Sequence, residues 1–556
     1  MAEGEFRRAL KALQPKTRAK SRRWLLVPYD QLSDQMGPLA KEPADSLGII
    51  LVENAWKAAR RPYHRQKLAA VLTNLRHFAL EQAARGVRVD HRVVASGPYR
   101  TALQDLEGTV APVRLMRPAE WELRDDLRPL VERGTLEILP HEGWLTTPDD
   151  FRESQPRRPY RMDRFYRRVR TRTGILMTEA GKPEGGRWSF DTENRKRWPG
   201  SPPAPALPRY DPDPVTREVG TLIEERFARH PGTLDLTRLP ATATQAQDFW
   251  SWAKRYCLPL FGPYEDAMSD VAPSLFHSRT SLLLNLGRLL PQQLVKDVER
   301  MDIPLASKEG FIRQLIGWRE FMHHVHEVTD GFREVEGAAT EENVPRDGGY
   351  QQWAGHVWET GSTADEGLAP TATPSALGAH APLPPMYWGK ESGLHCVDTV
   401  VESVWQEGYS HHITRLMVLS NLASLLDVSP RQLTDWFWVA YVDAYDWVVE
   451  PNVLAMGTWA LEDLVVTKPY VASANYINKM SDYCKSCAFD PRKNCPITRL
   501  YWAFLERHRA KLTGNPRLFQ MMRLLDKRST AERKTDAEQF DRVQRELMAG
   551  KRLSPG

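Results

Sequence analysis

The chain has 556 residues, 26% of them charged, and a formal net charge of +5. That length supports two or three domains with sizeable cores and excludes a small scaffold held by disulfide staples. No apolar run approaches the ~18 residues that a membrane-spanning helix needs, and the opening MAEGEFRRALKALQPKTRAK lacks the continuous apolar core of a secretion signal. The expectation is a cytoplasmic, monomeric protein without a membrane partner and with reduced thiols. Arginines crowd into a few segments, and most of the 18 tryptophans fall after residue 245.

Short apolar runs, WLLVP at 24–28 and LGIILV at 47–52, precede a stretch of helical periodicity, YHRQKLAAVLTNLRHFALEQAARG. VRVDHRVV, VAPVRLM and LEILP continue the alternation. Strands alternating with helices predict a Rossmann-like parallel α/β sheet in an N-terminal domain, residues 1–150. Neither GxGxxG nor a Walker motif occurs there, so a nucleotide-like ligand would be held in another way. An interdomain segment, 151–215, follows. It holds eight arginines between Arg157 and Arg172, interleaved with Tyr160, Phe165 and Tyr166. At helical spacing several arginines share one side, which suits a phosphate backbone, although a solvated or interdomain helix has the same pattern. Gly, Pro and Arg over 175–215 read as a surface linker. Residues 216–530 show helical periodicity only and predict an all-α domain. Within it, 333–385 is poor in apolar residues and reads as a long exposed loop; 531–556 reads as a C-terminal tail.

Three of the five cysteines cluster in SDYCKSCAFDPRKNC, at Cys484, Cys487 and Cys495, and Cys396 in GLHCVDTV is the upstream candidate for a fourth ligand. Four thiolates suit a cubane iron–sulfur cluster or tetrahedral zinc, and spacing leaves the metal open; the proline after Cys495 tilts the reading toward iron. Cys257 reads as a core thiol. HSRTSLLLNLG supplies Ser278, Arg279 and Ser281 near a helix start, where hydroxyls and amides bind a pyrophosphate or merely cap the helix. GWREFMHH adds Arg319. In YSHHITRLM, His411 and His412 diverge by about 100° on a helix, so one can face a cavity while the other supports it. DWFWVAYVDAYDWVVEPN sets Trp436, Trp438, Tyr441, Tyr445 and Trp447 around Asp443 and Asp446, a pocket for a large planar ligand or a packed core.

Together these strings resemble the iron–sulfur bacterial cryptochromes and photolyases, also called prokaryotic (6-4) photolyases. The resemblance runs from DQL at 30 to NPRLFQMMRLLDK near 525 and is most specific in YSHHITRLM, YVDAYDWV, TKPYVASANYINKMSDYCKSC and GWREF. It implies an antenna domain that binds 6,7-dimethyl-8-ribityllumazine, matched at Glu53 and the YHRQK helix, and a helical domain that binds FAD. By position Ser278, Arg279, Ser281 and Arg319 meet the FAD phosphates and ribityl chain, and Asp443, Tyr445 and Val449 lie by the isoalloxazine. Cys396, Cys484, Cys487 and Cys495 match the ligands of a [4Fe–4S] cluster. Trp436, Trp388 and Phe437 match aromatic electron carriers, with Trp438 as a further candidate. The implied activity is light-driven repair of (6-4) photoproducts in UV-damaged DNA, with His411 as general acid, His412 as its support, and Asp191 and Asp266 holding Mg²⁺. A blue-light photoreceptor without repair activity is the alternative. Three departures bear on that choice: a short Cys487–Cys495 loop, Val449 in place of a polar group facing flavin N5 with Glu450 displaced by one, and the long 333–385 connection.

Overall fold

The computed structural model describes residues 4–15, 22–106, 111–335 and 371–555. Five strands, β1 (Arg23–Leu26), β2 (Leu47–Asn54), β3 (Arg88–Val94), β4 (Val113–Met116) and β5 (Leu136–Leu139), form one sheet in the order β3-β2-β1-β4-β5. All neighbours pair in parallel, with Leu25 opposite Ile49 and Leu115 opposite Ile138. β2 is buried along its whole length, as a central strand covered on both faces must be. The helix Arg65–Ala84 buries residues on nearly every turn, because the sheet flanks one of its sides and the helical half of the chain the other.

The strand order reverses at β1, and doubly wound sheets open a crevice at the carboxyl ends of the strands beside such a reversal. Here protein groups fill it. The Lys57 ammonium lies 2.6 Å from Glu120 and 2.8 Å from the Tyr29 hydroxyl. The Arg61 guanidinium donates to both oxygens of Glu122, and the Glu122 amide donates to Asp446 of the helical half at 2.9 Å. Tyr445 stacks on Tyr29, ring centres 6.0 Å apart, and joins the sheet's own core with Trp447.

Behind the crevice Glu53 is equally engaged. Arg76 donates to both its oxygens at 2.7 and 3.0 Å, and His91 reaches Oε1 at 3.0 Å. Burial alone would raise this carboxyl; the bonds from His91 and Arg76 outweigh it and hold the pKa at about 2.

The helical half has one continuous core running from Tyr63 to Leu553. Two expectations change there. The stretch expected as a tail is packed over its described residues, 531–555: the helix Thr530–Met548 buries Phe540, Val543 and Leu547, and the Leu553 amide donates to the Ser392 carbonyl at 2.8 Å. Of the stretch 333–385, residues 371–385 are packed rather than exposed, with Ala372 and Leu383 buried and Ala381 bridged to Val428. Its residues 336–370 lie outside the described ones.

A carboxyl whose folded pKa lies below its unfolded value stabilises the fold above the unfolded pKa and loses that contribution as pH falls through the folded one. Glu53 should therefore contribute fully above about pH 4.5 and less down to about pH 2. Urea unfolding of wild type and Glu53→Gln across this window checks it: the variant should show the shallower acid loss, and parallel curves would refute the assignment.

Candidate functional site

A cavity of about 290 Å³ opens in the helical half. Three of its walls are π-helical turns, Arg313–Arg319, Arg415–Ser420 and Pro451–Gly457, which supply Gln314, Leu315, Arg319, Arg415, Leu416, Ser420, Asn452, Val453 and Met456 to the lining. A π turn displaces the following side chains from the regular helical face, and such turns concentrate at functional sites. The loop before the short helix Ser281–Asn285 supplies Ser278, Arg279 and Thr280, with Arg279 held at a positive φ of 53°. Asp443, Trp447 and Val449 close the opposite side.

The charges in this lining divide into two kinds. Asp443 is fully answered: Arg415 donates to both its oxygens at 3.1 and 3.0 Å, and the Ser281 hydroxyl donates to Oδ2 at 2.6 Å. Arg279 pairs with Glu407. Arg319 is different. Its Nε donates to Asn285 at 3.2 Å and its guanidinium lies 4.5 Å from the Trp144 ring centre and 5.2 Å from that of Trp447. Its Nη1 is shut away from solvent with no hydrogen-bond partner, and among the described residues it makes no ion pair. Burial, opposed only by Glu320, brings its pKa down to about 10. A cation removed from water without an anion is costly, so this wall fits a ligand that carries negative charge.

Of the paired histidines, it is His412 and not His411 that lines the cavity. His411 is 1% exposed and stacks face to face on His277, rings 4.4 Å apart; both its nitrogens lack partners. The reason is local: His411 is the extended residue before the helix His412–Thr414 and not a member of it. Burial holds all three imidazoles in the neutral form, His412 at about 3 with Arg313 and Arg415 adding to the effect. Sequence reading passed over His277, although it directly precedes Ser278.

Of the expected electron carriers, Phe437 and Trp436 lie together. Phe437 lines the cavity, and its ring is 5.1 Å from that of the fully buried Trp436. Trp388 lies farther out, at a second, surface cleft. Trp438 points instead toward Arg61, 4.2 Å from its ring centre. Tyr445 belongs to the sheet side and does not line the cavity.

Cys396, Cys484, Cys487 and Cys495 converge on one small cavity, walled by Leu394, Ile477, Tyr483 and Phe489. Cys257 lies apart and is fully buried. Burial and then mutual repulsion push Cys396 well up, Cys495 to about 12 and Cys484 to about 11. The short Cys487–Cys495 loop closes on Asp490, whose side chain accepts from the amides of Arg492 and Lys493 and whose carbonyl accepts from Cys495. Pro496 is the first residue of the helix Pro496–Arg507, a helix-starting role that accounts for it without any metal.

Three expectations fare differently. Asp191 and Asp266 approach each other, but Arg195 bridges them, paired to Asp191 and 3.6 Å from Asp266. The guanidinium takes the place of a cation, and Mg²⁺ does not fit between them in this arrangement. Burial, then the neighbouring Glu265, pushes Asp266 up to about 7. Both Glu53 oxygens are already bonded within the protein, Oε1 to Arg76 and His91 and Oε2 to Arg76. In the arginine segment Arg170 is buried and donates to the carbonyls of Ile175, Leu176 and Trp188, while Arg172 pairs with Asp150 and Arg168 with Glu153. The acidic helix Pro148–Ser154 lies alongside, so much of the expected basic face is neutralised.

The chain thus joins a five-stranded parallel sheet to a helical body whose anion-seeking cavity lies beside Phe437 and Trp436. The family model for "Deoxyribodipyrimidine photo-lyase-related protein" matches residues 25–239. The chain is 33% identical to the (6-4) photolyase of Agrobacterium fabrum over 518 residues, 89% of this chain and 94% of that one. It belongs to the photolyase/cryptochrome family. A Synechocystis cryptochrome structure, at 15% identity, superposes with a TM-score of 0.52 over 95% of this chain and all (100%) of that one. A class III photolyase structure from Agrobacterium tumefaciens, at 16% identity and covering 95% and 99% of the two chains, gives 0.49. The first of these supports the fold; the family rests on the sequence identity.

Replacing Arg319 by leucine should leave the ligand-free protein no less stable by thermal unfolding, since an unpaired cation is removed, while weakening retention of an anionic ligand at least ~10-fold, the scale of one lost charge-assisted bond. A destabilised empty protein with undiminished ligand content would show that Arg319 serves packing alone.

Proposed function

We propose that the protein is a (6-4) photolyase: it binds FAD in the main cavity and repairs UV-damaged DNA in light. The unpaired guanidinium of Arg319 carries this reading, because it demands an anion and the surrounding Ser278, Thr280 and Asn285 supply neutral donors for a pyrophosphate and ribityl chain. Bound there, FAD supplies light absorption and the transferred electron. The protein's part is positioning. Phe437, Leu315, Met322 and Val453 give an apolar surface that excludes water from a planar ring. Asp443, kept ionised because its pairing with Arg415 outweighs burial, fixes Arg415 and Ser281 in the cavity wall.

A stacked lesion cannot reach such a cavity, so the damaged nucleotides must leave the duplex. His412, at the wall and 4.0 Å from Asp266, is then the histidine placed to donate a hydrogen bond or proton to the lesion; DNA phosphates favour its charged form. His277 lines the cavity beside it, and His411 stacks behind His277. The converging cysteines hold a [4Fe–4S] cluster, whose irons supply the charge that buried thiolates require.

Two measurements test this. Under light, with (6-4) photoproduct DNA, His412→Ala should repair at least about 10²-fold more slowly than wild type at equal flavin content, and His411→Ala should lose less. No loss in either variant would overturn His412 as the donor, and no repair by a wild type that binds flavin and lesion would sink the repair reading in favour of a photoreceptor. Purified protein should also carry iron and labile sulfide at roughly four each per chain, absent from Cys396→Ser; zinc without sulfide would remove the cluster.

A further inference from the structure

Trp405 appears in no motif, yet it is the ring that touches both Trp436 and Trp388. Its centre is 6.1 Å from Trp436, edge to face, and 5.4 Å from Trp388 in a stack only 17° from parallel. Trp405 and Trp388 together line a surface cleft of about 990 Å³. One carbonyl fixes the geometry: Tyr387 O accepts from the indole N–H of Trp405 and from that of Trp436, each at 2.9 Å. A carbonyl oxygen has two lone pairs and satisfies both. Such a bond strengthens when the indole becomes positive, because a charged donor makes the stronger bond. Stacking lets two indoles share one positive charge, so an electron is more easily taken from the pair than from either ring alone.

We propose that Trp405 relays electrons from Trp388 to Trp436, and that the stacked Trp388–Trp405 pair is the terminal donor, refilled at the cleft by a small soluble thiol. The proposal rests on the reading of the main cavity as a flavin site. Phe437 bridges cavity and Trp436 without being oxidised, since a phenyl ring yields an electron less readily than an indole. One electron leaves Trp436 toward the cavity; one passes from Trp405 to Trp436; the charge then rests on the stacked pair. The thiol replaces that electron, releasing its proton to water, and the two thiyl radicals from two such events join as a disulfide. Electrons and protons balance, with the thiol oxidised and the ring in the cavity reduced.

Two single variants, Trp405→Phe and Trp388→Phe, test it in flavin-loaded protein with dithiothreitol as the probe thiol. Flash excitation followed by transient absorption reads the indole radical. Wild type should give a long-lived radical that dithiothreitol quenches in a concentration-dependent way. Trp405→Phe should shorten its life severalfold and abolish quenching; Trp388→Phe should keep the first hop and shorten the life less. Cofactor-free protein gives an independent readout: the exciton-coupled indole signal in near-ultraviolet circular dichroism should vanish in both variants. A Trp405→Phe radical as long-lived and as quenchable as that of wild type overturns the proposal, as does an unchanged dichroism signal. A wild type that holds flavin but forms no indole radical, while the dichroism behaves as stated, instead refutes electron transfer through Trp436 and with it the relay.

Discussion

The Lys67 ammonium is the interaction on which the placement of the site depends. It rises from the sheet-covering helix and donates to the carbonyls of Trp438 and Ala444 at 2.7 and 2.5 Å. It does so where burial drives its pKa far down. Those two carbonyls end the helix Pro430–Ala440 and the turn that follows it, and the last carbonyls of a helix are unsatisfied unless something donates to them. The segment thus tied down bears Trp436 and Phe437 on one side of the anchor and Asp443, Tyr445 and Val449 on the other. Arg61–Glu122 and the Glu122–Asp446 bond hold the next turn. Breaking one member of such a buried ionic seam costs about 3–5 kcal/mol, enough to make the two halves of the chain one folding unit.

That seam also reaches into the α/β domain. The crevice beside the strand reversal is the place where doubly wound sheets hold ligands, and here Lys57, Glu120 and Tyr445 occupy it. Nothing in LGIILVENAWK distinguishes a lysine that holds a ligand from one that replaces it, because the partner carboxylate lies 63 residues away in sequence.

The legible parts of the sequence were those fixed by local period. All five strands lie where short apolar runs alternate with helical ones, and the four clustering cysteines and the Ser278–Arg319 lining follow from motifs. What the sequence did not reveal depends on departures from regular period. The π turns at 313–319, 415–420 and 451–457 insert extra residues per turn, so a 100° projection fails across them, and His411 falls outside the helix on which the projection placed it. Trp405 lacked any signal, since its role comes from stacking against a residue from another loop. The arginine segment misled because composition shows charge but not the acidic helix folded beside it.

The same rotation logic settles what Glu450 does. In the helix Asp446–Glu450, Val449 faces the cavity while Glu450 is turned into the core. There it accepts from His326 at 2.9 Å and Arg431 at 2.8 Å, and these bonds overcome burial to hold its pKa at about 2. Arg431 in turn pairs with Asp435, the residue directly before Trp436 and Phe437. The carboxylate displaced from the cavity is therefore not idle. It braces the helix that carries the aromatic row, and it does so from inside the core, where an unpaired Arg431 would be untenable. Restoring a polar group at 449 by shifting this acid would remove that brace, so the apolar wall at Val449 and the rigid placement of Trp436 are two consequences of one register.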